Sequence, residues 1–244
     1  SQLPPISQQN FASQYSVENI PKPSPKIKNL SVSHRSQPIK LEIWANPAGT
    51  TSRSSWIVFM PGWGGDAAHF RWLASRLSNH GWPVVLLEHP GSDVKAAQEL
   101  LEGRRPVPGA EVIPDRLADL HSVINAQKNG TLKVAGEKVV LMGHSLGALT
   151  SFLSAGAMPE EGLEKRCEEA LDALSLTNLS QFLQCQMIKV EVPVQKSAYK
   201  TKAIVAINSF GSLLWPRSGG ASISIPVFLL GGTYDLITPA LTEQ

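Results

Sequence analysis

Apolar residues in this chain recur in two rhythms. Short continuous runs mark strands buried on both faces, and runs at three- to four-residue spacing mark the helices between them. The continuous runs are 56–60, 84–87, 139–142, 203–207 and 226–230. Residues 39–44 alternate apolar and polar side chains, which predicts an edge strand. Phe70, Leu73, Ala74 and Leu77 share one helical face, with Asp66 as N-cap and Gly81 as terminator. A second, amphipathic helix is predicted over 95–103. Pro114 opens a third that runs to about Lys128, its apolar face set by Leu117, Leu120, Val123 and Ile124. A further helix follows residue 145 and runs to about Met158.

Strands alternating with helices predict an α/β fold, a mostly parallel sheet with helices on both faces. Residues 160–200 break the rhythm. They are polar and mostly helical, with no buried-strand pattern until Ala203, and are expected to form an insert that roofs the site. Residues 1–29, rich in Ser, Gln, Pro and Lys, are expected to be an extended arm or linker. One domain over 30–244 follows, and no internal repeat is present.

In such sheets ligands bind at the carboxyl ends of the strands. Trp63, His89, Ser145, Asn208 and Asp235 each follow a predicted strand, so all five should gather along one sheet edge. Ser145 stands out among them. An apolar strand runs straight into Gly143-His144-Ser145-Leu146-Gly147, and a helix follows. This is G-x-S-x-G in the strand–turn–helix context of a nucleophile elbow. A serine at the tip of that turn projects its hydroxyl from the sheet edge, and the glycines omit β-carbons that would collide.

A nucleophilic serine needs a base, usually histidine, and the base needs an orienting acid. In this architecture the chain order is Ser, then acid, then His. Asp235 follows the last apolar run on a Gly231-Gly232-Thr233-Tyr234 turn and is the expected acid. The competing acid position, after the preceding strand, holds Asn208, which supplies no charge. The oxyanion that forms at the substrate carbonyl requires two N–H donors. Leu146 is one, and Trp63, in the loop Pro61-Gly62-Trp63-Gly64, is the other.

The six histidines, His34, His69, His80, His89, His121 and His144, all precede Ser145, and residues 236–244 contain none. The expectation is that the closing strand, the His loop and the final helix lie beyond Gln244, and that residues 1–244 alone turn over negligibly. Of the six, His89 is the best substitute base. His144 should pack below the serine, and the other four belong to the surface or to helices.

Composition narrows the picture further. A net charge of +2 points away from nucleic acid. No apolar run is long enough to span a bilayer. The chain begins with Ser1 and shows no signal-peptide pattern, so the compartment stays open, cytoplasmic or exported after loss of a targeting segment. Cys167 and Cys185 fit no metal spacing. They are either a local disulfide or two buried thiols. The chemistry requires no metal or organic cofactor, and oligomeric state is not legible.

From about Ile39 to Gln244 the chain resembles the α/β-hydrolase superfamily. It is closer to the predicted dienelactone hydrolases and the platelet-activating-factor acetylhydrolase-like esterases, in a cyanobacterial-type branch. The carrying residues are 60–65, 87–93, 143–147 and 232–235. Two departures stand out. Many relatives have His-Gly where this chain has Pro61-Gly62, which changes how the oxyanion loop is braced. Dienelactone hydrolases use a cysteine nucleophile where this chain has Ser145. The resemblance therefore implies a serine hydrolase that cleaves a carboxylic ester or thioester of a small or lipid-like substrate through an acyl-enzyme. A non-catalytic binding protein on the same scaffold and an acyltransferase remain the alternatives.

Overall fold

The computed structural model describes residues 24–106, 109–172, 178–193, 200–216 and 223–243. The strands are β1 (Lys26–Leu30), β2 (Ile39–Trp44), β3 (Ser55–Met60), β4 (Val84–Leu87), β5 (Lys138–His144), β6 (Thr201–Ile207) and β7 (Val227–Leu230). The helices are α1 (Arg71–Asn79), α2 (Val94–Leu101), α3 (Ile113–Lys128), α4 (Leu146–Ser154), α5 (Leu163–Asp172), α6 (Ser180–Gln186) and a final turn, α7 (Ala240–Glu243). The strands form a seven-stranded sheet in the order β1-β2-β4-β3-β5-β6-β7. β1 and β2 run antiparallel to their neighbours, and the other pairings are parallel.

Both faces of the sheet are covered, which is why the inner strands read as continuous apolar runs. Trp56, Val58 and Met60 of β3 face one way, against Leu120 and Val123 of α3 and Ala148 and Phe152 of α4. Ile57 and Phe59 face the other way, against Ala67 and Ala74 before and on α1. A third cluster joins Leu146, Leu149 and Leu153 of α4 to Ile113 and Leu117 of α3. The same cluster takes in Leu163, Cys167 and Met187 of the insert. α4 is buried along its whole length.

Two sequence expectations change. β2 is not an edge strand, because β1 pairs with its outer side from Lys26↔Ile43 to Leu30↔Ile39. Four of the five residues of β1, Lys26 to Asn29, lie inside the stretch expected to be an arm. Its Lys-Ile-Lys-Asn-Leu sequence carries only two apolar residues. That suits an edge whose lysines discourage further pairing, and it hides the strand among Ser and Pro. Of the expected arm, residues 1–23 lie outside those described. The polar position Glu42 on β2 is fully buried. Its carboxylate accepts from both Nε and Nη2 of Arg71, so its polarity marked an ion pair with α1 and not a solvent face.

The insert contributes α5 and α6, and a disulfide between Cys167 and Cys185 joins them. That decides between the two alternatives for these cysteines. Residues 173–177 and 194–199 of the expected insert lie outside those described. On the far side of the sheet, β7 is the outermost strand and its four apolar residues are exposed.

Candidate active site

β5 ends at His144 and α4 begins at Leu146, so Ser145 alone makes the turn. It does so at φ 52° and ψ −115°, a region that L-residues rarely enter and that costs on the order of 1–3 kcal/mol. The surroundings over-determine this conformation. The Ser145 N–H donates to the Ile207 carbonyl at the end of β6 (2.9 Å), and the Ser145 carbonyl accepts from the Ala148 N–H (2.8 Å). The two flanking glycines let strand and helix pass. A β-carbon on Gly147 would stand 1.9 Å from the Met60 carbonyl oxygen, and one on Gly143 would stand 2.2 Å from the backbone of Gly147. Leu146, as the first residue of α4, has no intrahelical acceptor for its N–H.

The loop after β3 lies against this turn. A β-carbon on Gly62 would come within 3.1 Å of both the Ser145 Cβ and the His144 Nδ1. The Gly62 carbonyl accepts from the Gly65 N–H (3.2 Å). Because the peptide is planar and trans, that bond aims the Trp63 N–H the opposite way. Farther along, the Gly64 N–H donates to the Ser92 carbonyl (2.8 Å), which ties the loop to the turn after β4. Trp63 is partly exposed.

Beneath the loop lies a buried charged group. Arg116 of α3 is buried to 1% exposure. Its Nη2 donates to the Pro61 carbonyl (2.6 Å), its Nη1 to the Ser92 hydroxyl (2.7 Å) and its Nε to Thr150 Oγ1 on α4 (3.1 Å). Burial pushes the guanidinium down to about 9, with Asp119 opposing, so it remains a cation at neutral pH. One turn on, Asp119 accepts from Nε and Nη2 of Arg35 (2.6 and 2.7 Å), from His34 Nε2 (2.7 Å) and from His89 Nδ1 (2.9 Å). Burial would raise the Asp119 carboxyl, but these donors hold it at about 2.

Asp235 sits in the turn after β7. Partial burial pushes its carboxyl up. The N–H and hydroxyl of Thr238, the Ile237 N–H and the Asn208 amide outweigh that and hold it at about 2. Asn208 follows β6 at φ 49° and donates its own N–H to the Leu230 carbonyl (2.7 Å). The two candidate acid positions therefore meet. They lie next to the elbow, because the Ile207 carbonyl that holds Ser145 is the residue before Asn208. An open groove of about 740 Å³ runs between Asp235 and the insert, lined by Ala170, Asn178, Gln181, Tyr234 and Leu236 among others.

The histidines are engaged elsewhere. His89 is fully buried on Asp119, and desolvation, with the nearby Arg116 charge, lowers it to about 4, so it is neutral. His34 shares the same carboxylate. His80 Nδ1 bonds the Arg76 carbonyl, His69 Nδ1 accepts from the Asp66 N–H, and His121 lies on α3. His144 packs against Phe70, with ring centroids 5.7 Å apart. Burial lowers its imidazole, against an opposing pull from Asp235. Among the described residues, no cluster of three or more His, Cys, Asp or Glu could hold a metal ion. No helix there is long and apolar enough to cross a membrane.

The model of the alpha/beta hydrolase family matches residues 57–240. Three solved structures share the fold. An a/b serine hydrolase without lid from Xanthomonas campestris is 12% identical, with 90% of this chain and 76% of that one covered and a TM-score of 0.50. A lipase/esterase from Lactobacillus plantarum is 13% identical, with coverage of 89% and 81% and a TM-score of 0.52. A dienelactone hydrolase from Anabaena variabilis is 17% identical, with coverage of 87% and 76% and a TM-score of 0.51. At these identities the likeness is one of fold. No curated protein matches the chain in sequence.

Proposed function

Because the chain belongs to the alpha/beta hydrolase family, we propose that it acts as a serine hydrolase on a carboxylic ester or thioester. Ser145 Oγ attacks the substrate carbonyl carbon and gives its proton to an imidazole. The oxyanion that forms accepts hydrogen bonds from the N–H groups of Leu146 and Trp63, each contributing about 3–4 kcal/mol in the transition state. Collapse of the tetrahedral intermediate breaks the ester bond, and the imidazolium protonates the leaving alcohol or thiol. Water then attacks the acyl-enzyme, releases the acid and restores the Ser145 hydroxyl. Asp235, held ionised well below neutral pH, orients the imidazole and stabilises its cation.

One observation supports this reading above the others. Ser145 holds a strained turn at the carboxyl edge of the sheet, against the Gly62 loop on one side and next to Asn208 and Asp235 on the other. The base is taken to be a histidine that follows Asp235, in the chain order Ser, acid, His, because His34, His69, His80 and His89 are hydrogen-bonded to other groups and His144 packs against Phe70. The groove beside Asp235 suits a small or lipid-like acyl or alcohol group. Its walls mix Leu236 and Ala170 with Asn178 and Gln181.

The engaged histidines also favour a second reading, a binding protein on this scaffold. Ester hydrolysis by the full-length protein separates the two. Turnover of a p-nitrophenyl acyl ester that Ser145→Ala abolishes supports the hydrolase. Saturable binding of esters without turnover supports the binding protein.

A further inference from the structure

We propose that Arg116 is a positioning residue that sets both oxyanion donors from one rigid group; the proposal rests on the hydrolase reading above and deepens it. The two donors belong to separate elements. Trp63 lies in the loop after β3, and Leu146 opens α4. Their spacing is not fixed by sequence proximity, so something must hold the loop against the helix.

The Arg116 guanidinium spans that gap. Nη2 holds the Pro61 carbonyl, at the start of the loop. Nη1 holds the Ser92 hydroxyl, and the Ser92 carbonyl takes the Gly64 N–H at the loop's other end. Trp63 is therefore suspended between two points that both trace to Arg116. Nε holds Thr150 Oγ1, whose hydroxyl donates to the Leu146 carbonyl (2.8 Å). The first turn of α4 is thus referenced to the same planar group. Lysine could not reproduce this, because a single ammonium lacks the fixed fork that meets three acceptors at once.

The location argues for a role beyond packing. A buried cation carries a large desolvation cost, and apolar replacements of buried ion networks are often neutral or stabilising. Here the charge sits under the Pro61 carbonyl, at the start of the loop that carries Trp63. Proline has no N–H to tie the loop, so the tie runs through its carbonyl. Asp119, one turn along α3 and itself fixed by Arg35, His34 and His89, compensates the charge without competing with those three acceptors for the Arg116 N–H groups.

The test uses the full-length protein and three variants, Arg116→Met, Arg116→Lys and Thr150→Val. Thr150→Val conserves volume and leaves the guanidinium in place, so it guards against a methionine variant that does not fold. For a p-nitrophenyl ester, kcat should fall about 100-fold in Arg116→Met, the scale of a lost oxyanion donor. It should fall about 10-fold in the lysine variant and about 5-fold in Thr150→Val, with KM within about threefold throughout. Affinity for a trifluoromethyl ketone, which mimics the tetrahedral intermediate, should fall by the same factors. Amide exchange at Gly64 and Gly65 should quicken in both arginine variants. Wild-type kcat in folded Arg116→Met or Thr150→Val, or a change confined to KM, overturns the proposal. If the unaltered protein neither hydrolyses esters nor binds the ketone, the hydrolase reading fails instead. The exchange data then stand alone, and unchanged protection of Gly64 and Gly65 in the arginine variants overturns the loop-holding role.

Discussion

The side-chain amide of Asn208 donates to the carboxylate of Asp235 across 2.5 Å. These residues follow different strands, β6 and β7, and each stands where an orienting acid could come from. Their contact merges the two positions into one, with the charge on Asp235 and a neutral donor on Asn208. Asp235→Asn should lower kcat by about 10³- to 10⁴-fold, because the imidazole loses both its orientation and its counter-charge. Asn208→Ala should cost about 10-fold or less, since Thr238 and Ile237 still hold the carboxylate. Steady-state kinetics of the two full-length variants check this ranking.

Gly147 should tolerate no side chain. The atom that an added β-carbon would strike at 1.9 Å is the Met60 carbonyl oxygen, which is backbone and cannot rotate away. Gly147→Ala should therefore destabilise the protein by about 3 kcal/mol or more, at the upper end of overpacking costs. Urea unfolding followed by circular dichroism measures it. Gly130→Ala has open space around its β-carbon but a φ of +79°, and should cost only about 1 kcal/mol.

Acid stability should track His89. Burial and the Arg116 charge lower its imidazole to about 4, below the ordinary value, so the folded state keeps it neutral. A depressed folded value means the stabilisation is full above about pH 6.5 and is lost as pH falls towards 4, on the order of 3 kcal/mol in all. Asp119 and Asp235, held at about 2, add losses only between about pH 4 and 2. Urea midpoints from pH 8 to 4 should decline below about pH 6.5 in the natural protein. In His89→Gln that decline should flatten.

The Cys167–Cys185 disulfide closes a loop with a sequence separation of 18 between α5 and α6. Chain-entropy arguments give such a link about 3 kcal/mol. A Cys167→Ser and Cys185→Ser double variant should lower the thermal midpoint by several degrees. If the pair contributes only to the insert, the ester kcat should change less than KM.

The sheet and the site were legible to different degrees. Runs such as 56–60 and 139–142 announced inner strands because both faces of those strands are covered. The elbow was legible because Gly143 and Gly147 are sterically required at fixed spacing about Ser145. β1 escaped notice because an edge strand with two lysines needs little apolar character. The Asp119–His89–Arg116 network was harder to read because its partners come from distant parts of the chain. Only the fold shows that Pro61, Ser92 and Thr150 converge on it. The polar residues of α3 at positions 116 and 119 were a missed signal, since they fall on the same face as Leu120 and Val123.

The central claim is that Ser145 is an activated nucleophile, and one measurement reaches it directly. The full-length protein is treated with a fluorophosphonate and the modified peptide is mapped by mass spectrometry. The account predicts one adduct per chain, on Ser145, with loss of ester turnover in step with labelling and much slower labelling in Asp235→Asn. A folded full-length protein that stays unlabelled at Ser145, or hydrolyses esters equally well as Ser145→Ala, would contradict it.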